Sequence, residues 1–158
     1  MRTHHEEEPK LSSFQNFLVS TPLMQPGSAQ APGQGPLEGY GSYHQQYWLD
    51  GVLIAVAVLD VLPGYLSSVY FFWDPDLGHM SLGKVSTMNE IEWVRAQSAG
   101  PNAAFPLLKH YTMGFYIHSC PKMRYKAEYR PSQLLCPQTF TFVPLEPALL
   151  ALTRQSLL

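Results

Sequence analysis

The run Val52–Val61, VLIAVAVLDV, restricts the fold of this chain more than any other stretch. Nine of its ten residues are apolar, and it lies between two turn dipeptides, Asp50-Gly51 and Pro63-Gly64. A run this short cannot span a bilayer. Without polar alternation it reads as a central strand covered on both faces. Asp-Gly supplies the positive φ angles of a tight hairpin, so residues 46–49 pair with it on one side. Residues 66–73 return antiparallel on the other side, and Asp74-Pro75-Asp76 ends that strand because proline cannot donate to a ladder. The result is a three-stranded meander.

The remaining elements follow from capping and periodicity. Ser12 and Ser13 precede Phe14, Phe17 and Leu18, which predicts a short capped helix stopped by Pro22. Residues 22–39 are rich in Pro and Gly and read as a flexible segment, so a compact domain of residues 41–158 is expected after residues 1–40. Ser81 opens a helix whose Leu82, Val85, Met88, Ile91 and Val94 recur at near-helical spacing, with Glu90, Glu92 and Arg95 left for solvent. Gly100-Pro101 ends it, and a loop over 98–108 follows. Residues 111–119 read as a strand that starts buried, parallel to the third because a helix separates the two. Residues 139–143 predict a last strand, and Pro147 starts a terminal helix through Leu152. The fold class is α/β (α+β): a mixed antiparallel and parallel sheet with flanking helices.

Bulk properties exclude several functions. With 46 % hydrophobic and only 14 % charged residues, the chain is neither disordered nor a polyelectrolyte. A net charge of −2 does not suit a protein that grips nucleic acid over its whole surface, so RNA contacts need a local patch. The two cysteines, Cys120 and Cys136, match no zinc or redox spacing and form no disulfide framework, which points to a reducing cytosol or nucleus. No signal peptide or membrane span is expected, because the start of the chain is polar.

Four groups of residues could carry chemistry. At the predicted helix start, Ser81, Gly83 and Lys84 place free N–H groups and a helix dipole where a lone phosphate would bind, beside the simpler reading of a serine cap. Lys122, Arg124, Lys126 and Arg130 interleave with Tyr125 and Tyr129. Arginine grips a carboxylate with two parallel hydrogen bonds. The block could instead touch phosphates, with the tyrosines stacking a base, or stand as a solvated charged loop. Asp60 interrupts an apolar strand and needs a partner if buried. Asp60 and Asp74 are the candidate catalytic acids, able to hold or deprotonate an amine, while Asp74 and Asp76 also read as turn formers. His44 and His118 read as hydrogen-bonding histidines, His118 lying close to the basic block; neither has a nucleophile partner at triad spacing. Cys120-Pro121 and Cys136-Pro137 offer thiolates to haem iron, or are simply half-buried thiols.

The stretches YHQQYWLDGVLIAVAVLDVLP (43–63), SSVYFFWDPD (67–76), 81–86 with Glu90 and Ile91, and MGFYIHSCPKMRYKAEYRPSQLLCP (113–137) carry a resemblance. Together they resemble the carboxy-terminal region of eukaryotic arginyl-tRNA–protein transferases, from about Ser12 to Pro144. The resemblance implies a GNAT-like acyltransferase fold that lacks its first strand. It implies transfer of arginine from arginyl-tRNA to the α-amine of proteins starting with Asp, Glu or oxidised Cys, which marks them for ubiquitin-dependent degradation. Partners would be arginyl-tRNA and acidic acceptors. His118, Lys122, Tyr125, Lys126, Tyr129 and Arg130 would bind the acceptor, and Ser81, Gly83 and Lys84 a tRNA phosphate. The family's iron–sulfur or metal site belongs to an amino-terminal domain absent here, so no cofactor is expected in this chain. Val52 stands where the family typically has lysine, and the 98–108 loop is longer than usual. The alternative is a truncated, non-catalytic binding or regulatory protein.

Overall fold

The computed structural model describes residues 10–21, 23, 39–100, 103 and 105–155. Pro22, most of the Pro/Gly-rich segment and part of the 98–108 loop lie outside the described residues. The backbone divides into two compact units, Met1–Thr112 and Met113–Leu158.

The first unit holds a four-stranded mixed sheet in the order β1 (Gly41–Leu49), β2 (Val52–Val61), β3 (Tyr65–Trp73) and β4 (His110–Thr112). The pairs β1–β2 and β2–β3 are antiparallel, and β3–β4 is parallel. Both turns do what their residues dictate. Asp50 and Gly51 have φ of 49° and 79°, as a primed hairpin turn requires. Leu62 and Tyr65 exchange backbone hydrogen bonds across Pro63-Gly64.

Each face of β2 is covered. Ala57, Leu59 and Val61 pack with Leu66, Val94, Phe105 and Leu108, under helix α2 (Leu82–Ser98). Val56 and Val58 face the other way and are also buried. On that second face Phe17 meets Tyr70 edge-on at 5.2 Å, and His44 Nε2 donates to Leu18 O (2.6 Å). His44 is therefore a structural histidine. Phe17 and Leu18 belong to a single turn of helix α1 (Leu11–Phe14) that widens into a π-helical turn at Gln15–Val19. Its N-cap is Lys10, so Ser12 and Ser13 do not cap it.

Helix α2 corrects one expectation. Its buried positions are Leu82, Ser86, Thr87, Glu90 and Val94, while Val85 and Met88 are exposed. The inward face follows the four-residue step 82–86–90–94, and Glu90 is 1 % exposed rather than solvated. On a helix of 3.6 residues per turn, steps of three fall about 60° short of a full turn and steps of four overshoot by about 40°, so the row 82–86–90–94 stays closer to one face.

The second unit corrects two more. Beyond Thr112 the chain leaves the sheet: residues 113–117 form no strand, and Phe115 is 85 % exposed. Gly114 has φ of 71°, which breaks an extended path, and Lys126 Nζ donates to Phe115 O (2.7 Å) in place of a ladder partner. Helix α3 (Pro121–Arg124) and a 3-10 turn (Tyr125–Glu128) follow. The last strand is β6 (Phe142–Pro144), and it pairs antiparallel with β5 (Gln133–Leu135) instead of joining the main sheet. Cys136 N–H to Thr141 O and Phe140 N–H to Cys136 O close that hairpin. Helix α4 (Leu145–Gln155) starts two residues before Pro147, which the first turn tolerates. Leu145, 1 % exposed, is buried in this unit.

Candidate functional site

A row of polar side chains crosses the first unit's sheet. Ser42 on β1 is in register with Asp60 on β2, Asp60 with Ser67 on β3, and Ser67 with Thr112 on β4. Opposed residues in neighbouring strands project from the same face, so the four line up beneath the α1 side of the sheet. Ser42 Oγ donates to Asp60 Oδ1 and lies 2.7 Å from Thr21 Oγ1. Thr112 Oγ1 is 3.5 Å from Ser67 Oγ. The partner that Asp60 requires as a half-buried carboxylate is therefore Ser42. Thr112 is also where the β3–β4 pairing stops. From Ser68 to Trp73, β3 continues with no strand along that edge among the described residues. The sheet splits at the end of the polar row.

The unpaired stretch of β3 leads through a 3-10 turn (Pro75–Met80) to the start of α2. Ser81 does not cap this helix: it has φ of 53° and makes no side-chain capping bond. Its carbonyl accepts from Lys84 N (2.8 Å) and Val85 N (3.3 Å), leaving the earlier amides free of intrahelical partners. Lys84 is exposed, and a side chain at Gly83 would touch Phe71. Ser81, Gly83 and Lys84 thus sit together on one exposed first turn.

Asp74 is not near Asp60. Its N–H donates to Ile54 O (2.8 Å), six residues along β2 from Asp60, so roughly 20 Å separates the two acids. They cannot serve one reacting centre. Asp74 caps the 3-10 turn by accepting from Asp76 N (3.1 Å), which is the turn-forming role. Beside it is an open hollow of about 250 Å³, walled in part by Leu53, Val56, Phe72 and Trp73.

In the second unit the basic block is not one cradle. Lys122 is exposed on α3. Lys126 turns back onto Phe115 O, and burial pushes its ammonium below the ordinary lysine range. Arg130 Nη1 pairs with Glu146 Oε1 of α4. Tyr125 and Tyr129 meet edge-on at 6.5 Å. His118 sits between Tyr116 Oη (2.9 Å from Nδ1) and Thr153 Oγ1 (3.3 Å from Nε2). Hydrogen bonds from the Thr139 hydroxyl and the Thr139 and Gln138 amides hold the Cys136 thiol below its usual range. Among the described residues no three His, Cys, Asp or Glu side chains are grouped to hold a metal ion, and no helix is long and apolar enough to cross a membrane.

A second cluster escaped the sequence. Tyr47 Oη donates to Ser86 Oγ (3.0 Å), Ser86 Oγ donates to Glu90 Oε1, and Glu90 Oε2 has no hydrogen-bond partner. The Tyr111 phenol lies beside this carboxylate. Burial first, then the Glu90 charge, push its pKa well above 10.0. The only sequence sign was that Glu90 falls four residues after Ser86 and four before Val94.

Comparison with known proteins places these features. Residues 1–136 match a family described as "Arginine-tRNA-protein transferase, C terminus". The chain is 51 % identical over 142 residues to arginyl-tRNA–protein transferase 1 of Drosophila melanogaster, covering 89 % of this chain and 28 % of that protein. It is 54 % identical over 139 residues to arginyl-tRNA–protein transferase 1 of Arabidopsis thaliana, covering 87 % and 21 %. Aspartate/glutamate leucyltransferase of Stutzerimonas stutzeri is 44 % identical over 93 residues, 59 % of this chain and 36 % of that protein. The chain thus spans about a quarter of the length of the first two relatives.

Proposed function

We propose a function from one premise: this chain belongs to the arginine-tRNA-protein transferase family, whose C-terminal region it carries. It takes part in moving arginine from the 3′ end of arginyl-tRNA to the α-amine of a protein that begins with Asp, Glu or oxidised Cys. The observation that carries this is the split in the sheet at Ser67 and Thr112, with Asp60 one strand away in the polar row. A split sheet offers unpaired backbone donors and acceptors along β3 to an extended acyl donor. The exposed first turn of α2, with Ser81, Gly83 and Lys84, takes a phosphate of the tRNA end. Phe72 gives a flat wall on which a nucleobase stacks.

The chemistry is aminolysis of an ester. The acceptor nitrogen bonds to the arginyl carbonyl carbon, the bond to the ribose oxygen breaks, and that oxygen leaves with a proton. Asp60, oriented by Ser42, receives the proton lost by the ammonium and holds the amine in line. An α-amine needs little help, because its pKa lies near neutrality. Lys122 and Arg130, both of the second unit, carry the charge and the donors that bind a carboxylate such as that of an acidic acceptor. The product's new N-terminal arginine marks it for ubiquitin-dependent degradation in cytosol or nucleus.

A second reading, a protein that binds acidic N-termini without transfer, draws on the separation of roughly 20 Å between the two candidate acids, which leaves Asp60 to act alone. One assay separates them. Labelled arginine supplied as arginyl-tRNA is incubated with a peptide starting in Asp, with this chain alone and with a polypeptide supplying the rest of a relative's length. Label in the peptide only when the chain is present supports transfer. Binding without label in either mixture leaves the second reading, and neither binding nor label removes both.

A further inference from the structure

We propose that α4 occupies the acceptor-binding residues of its own chain, with Glu146 standing where the side-chain carboxylate of an acidic N-terminal residue would sit. This rests on the assignment of Arg130 to the acceptor. Glu146 Oε1 pairs with Arg130 Nη1, and Thr153 Oγ1 reaches His118 Nε2 at 3.3 Å. Arg130 and His118 are two of the side chains read as acceptor-binding from sequence. Glu146 and Thr153 are seven residues apart, about two turns, and so lie on one face of the helix. One face of α4 therefore meets both residues at once.

The placement is built into the fold. Leu145 is buried and its N–H donates to Ser132 O (3.0 Å), which fixes the first turn of α4 two residues from Arg130. The family match ends at residue 136, so Glu146 and Thr153 both come from beyond it. The carboxylate of Glu146 is the same chemical group as the side chain of an N-terminal Asp or Glu. The arginine and glutamate side chains are 52 % and 59 % exposed, so the pair is hydrated and exchangeable rather than locked. An acidic acceptor arriving at Arg130 must displace it; a neutral one need not. The arrangement raises the acceptor concentration needed for occupancy without closing the site.

The test measures dissociation constants of two free-amine peptides, one starting with Asp and the other with Asn but otherwise identical, on the full chain. Wild type, Glu146→Gln, Arg130→Gln and the double variant are compared, with circular dichroism melts confirming that each folds. Glu146→Gln is expected to tighten the Asp peptide about two- to fivefold, as befits release of an exposed ion pair. It should leave the Asn peptide unchanged, and the gain should vanish in the double variant. If Glu146→Gln changes neither peptide, or both equally, while Arg130→Gln still weakens the Asp peptide, self-occupancy is overturned and the Arg130 assignment stands. If Arg130→Gln leaves the preference for Asp intact, or no variant binds either peptide, both are overturned.

Discussion

Tyr47 Oη donates a 3.0 Å hydrogen bond to Ser86 Oγ, tying edge strand β1 to the middle of α2. Ser86 donates its own hydrogen bond to Glu90, which is almost wholly buried. The three groups hold a carboxylate in the interior by hydroxyls alone. Ser86→Ala should cost about 1–3 kcal/mol in urea unfolding, because it strips Glu90 of its donor and Tyr47 of its acceptor. Tyr47→Phe should cost about 1 kcal/mol. The double variant should fall short of the sum. Additive losses would mean that the three side chains do not act as one chain of bonds.

Tyr111 gives the fold an alkaline limit. Its folded pKa is raised above the ordinary 10.0 by burial and by Glu90. A raised folded pKa means that the native state holds the proton more tightly than the unfolded chain. The stability so gained is fully present below pH 10 and is lost as pH rises from there towards the folded value. Urea midpoints should therefore fall faster above about pH 10 in wild type than in Tyr111→Phe, the two curves diverging by at most about 1.4 kcal/mol per pH unit. Parallel curves would remove Tyr111 as the cause.

The path out of the sheet depends on Gly114 and Lys126. Gly114→Ala places a side chain on a backbone with φ of 71° and should destabilise by about 1–2 kcal/mol, with Gly114→Asn costing less. Lys126→Met removes the bond to Phe115 O, and amide exchange across residues 113–117 should quicken. Unchanged exchange there would show that the ammonium does not hold this segment.

The two acids read together from sequence should separate on mutation. Asp60→Asn should lower arginine transfer by about 10²–10⁴-fold with little change in acceptor affinity, as loss of a proton acceptor predicts. Asp74→Asn should leave transfer nearly intact and reduce stability by about 1 kcal/mol or less, since asparagine caps almost as well. The reverse ranking would move the reacting centre to the far end of β2.

Much of this was legible in the chain because the signals were local. Asp50-Gly51, Pro63-Gly64 and the apolar run between them specify two hairpins and a central strand through φ preferences and side-chain hydration, which act over a few residues. The same local reading marked Asp60 as a carboxylate in need of a partner, and it found Ser42. Two errors share a cause. Residues 113–119 have the composition of a strand, but the Phe115 carbonyl takes its partner from Lys126, and Gly114 at a φ of 71° breaks the extended path. Glu90 looks solvated because glutamate on a helix usually is; its burial rests on Ser86, which donates to it, and on Tyr47, thirty-nine residues before Ser86, which donates to Ser86 in turn.

The sequence by itself determined the meander, its turns, the mixed sheet and the kinship, because each depends on neighbouring residues or on a pattern that can be counted. Tertiary structure alone decided which charges are available. It set Asp60 and Asp74 at opposite ends of β2, turned Lys126 inward, and gave Arg130 a glutamate sixteen residues away. A side chain's charge is written in its residue type, but its partner is chosen by distances that exist only after the chain has folded.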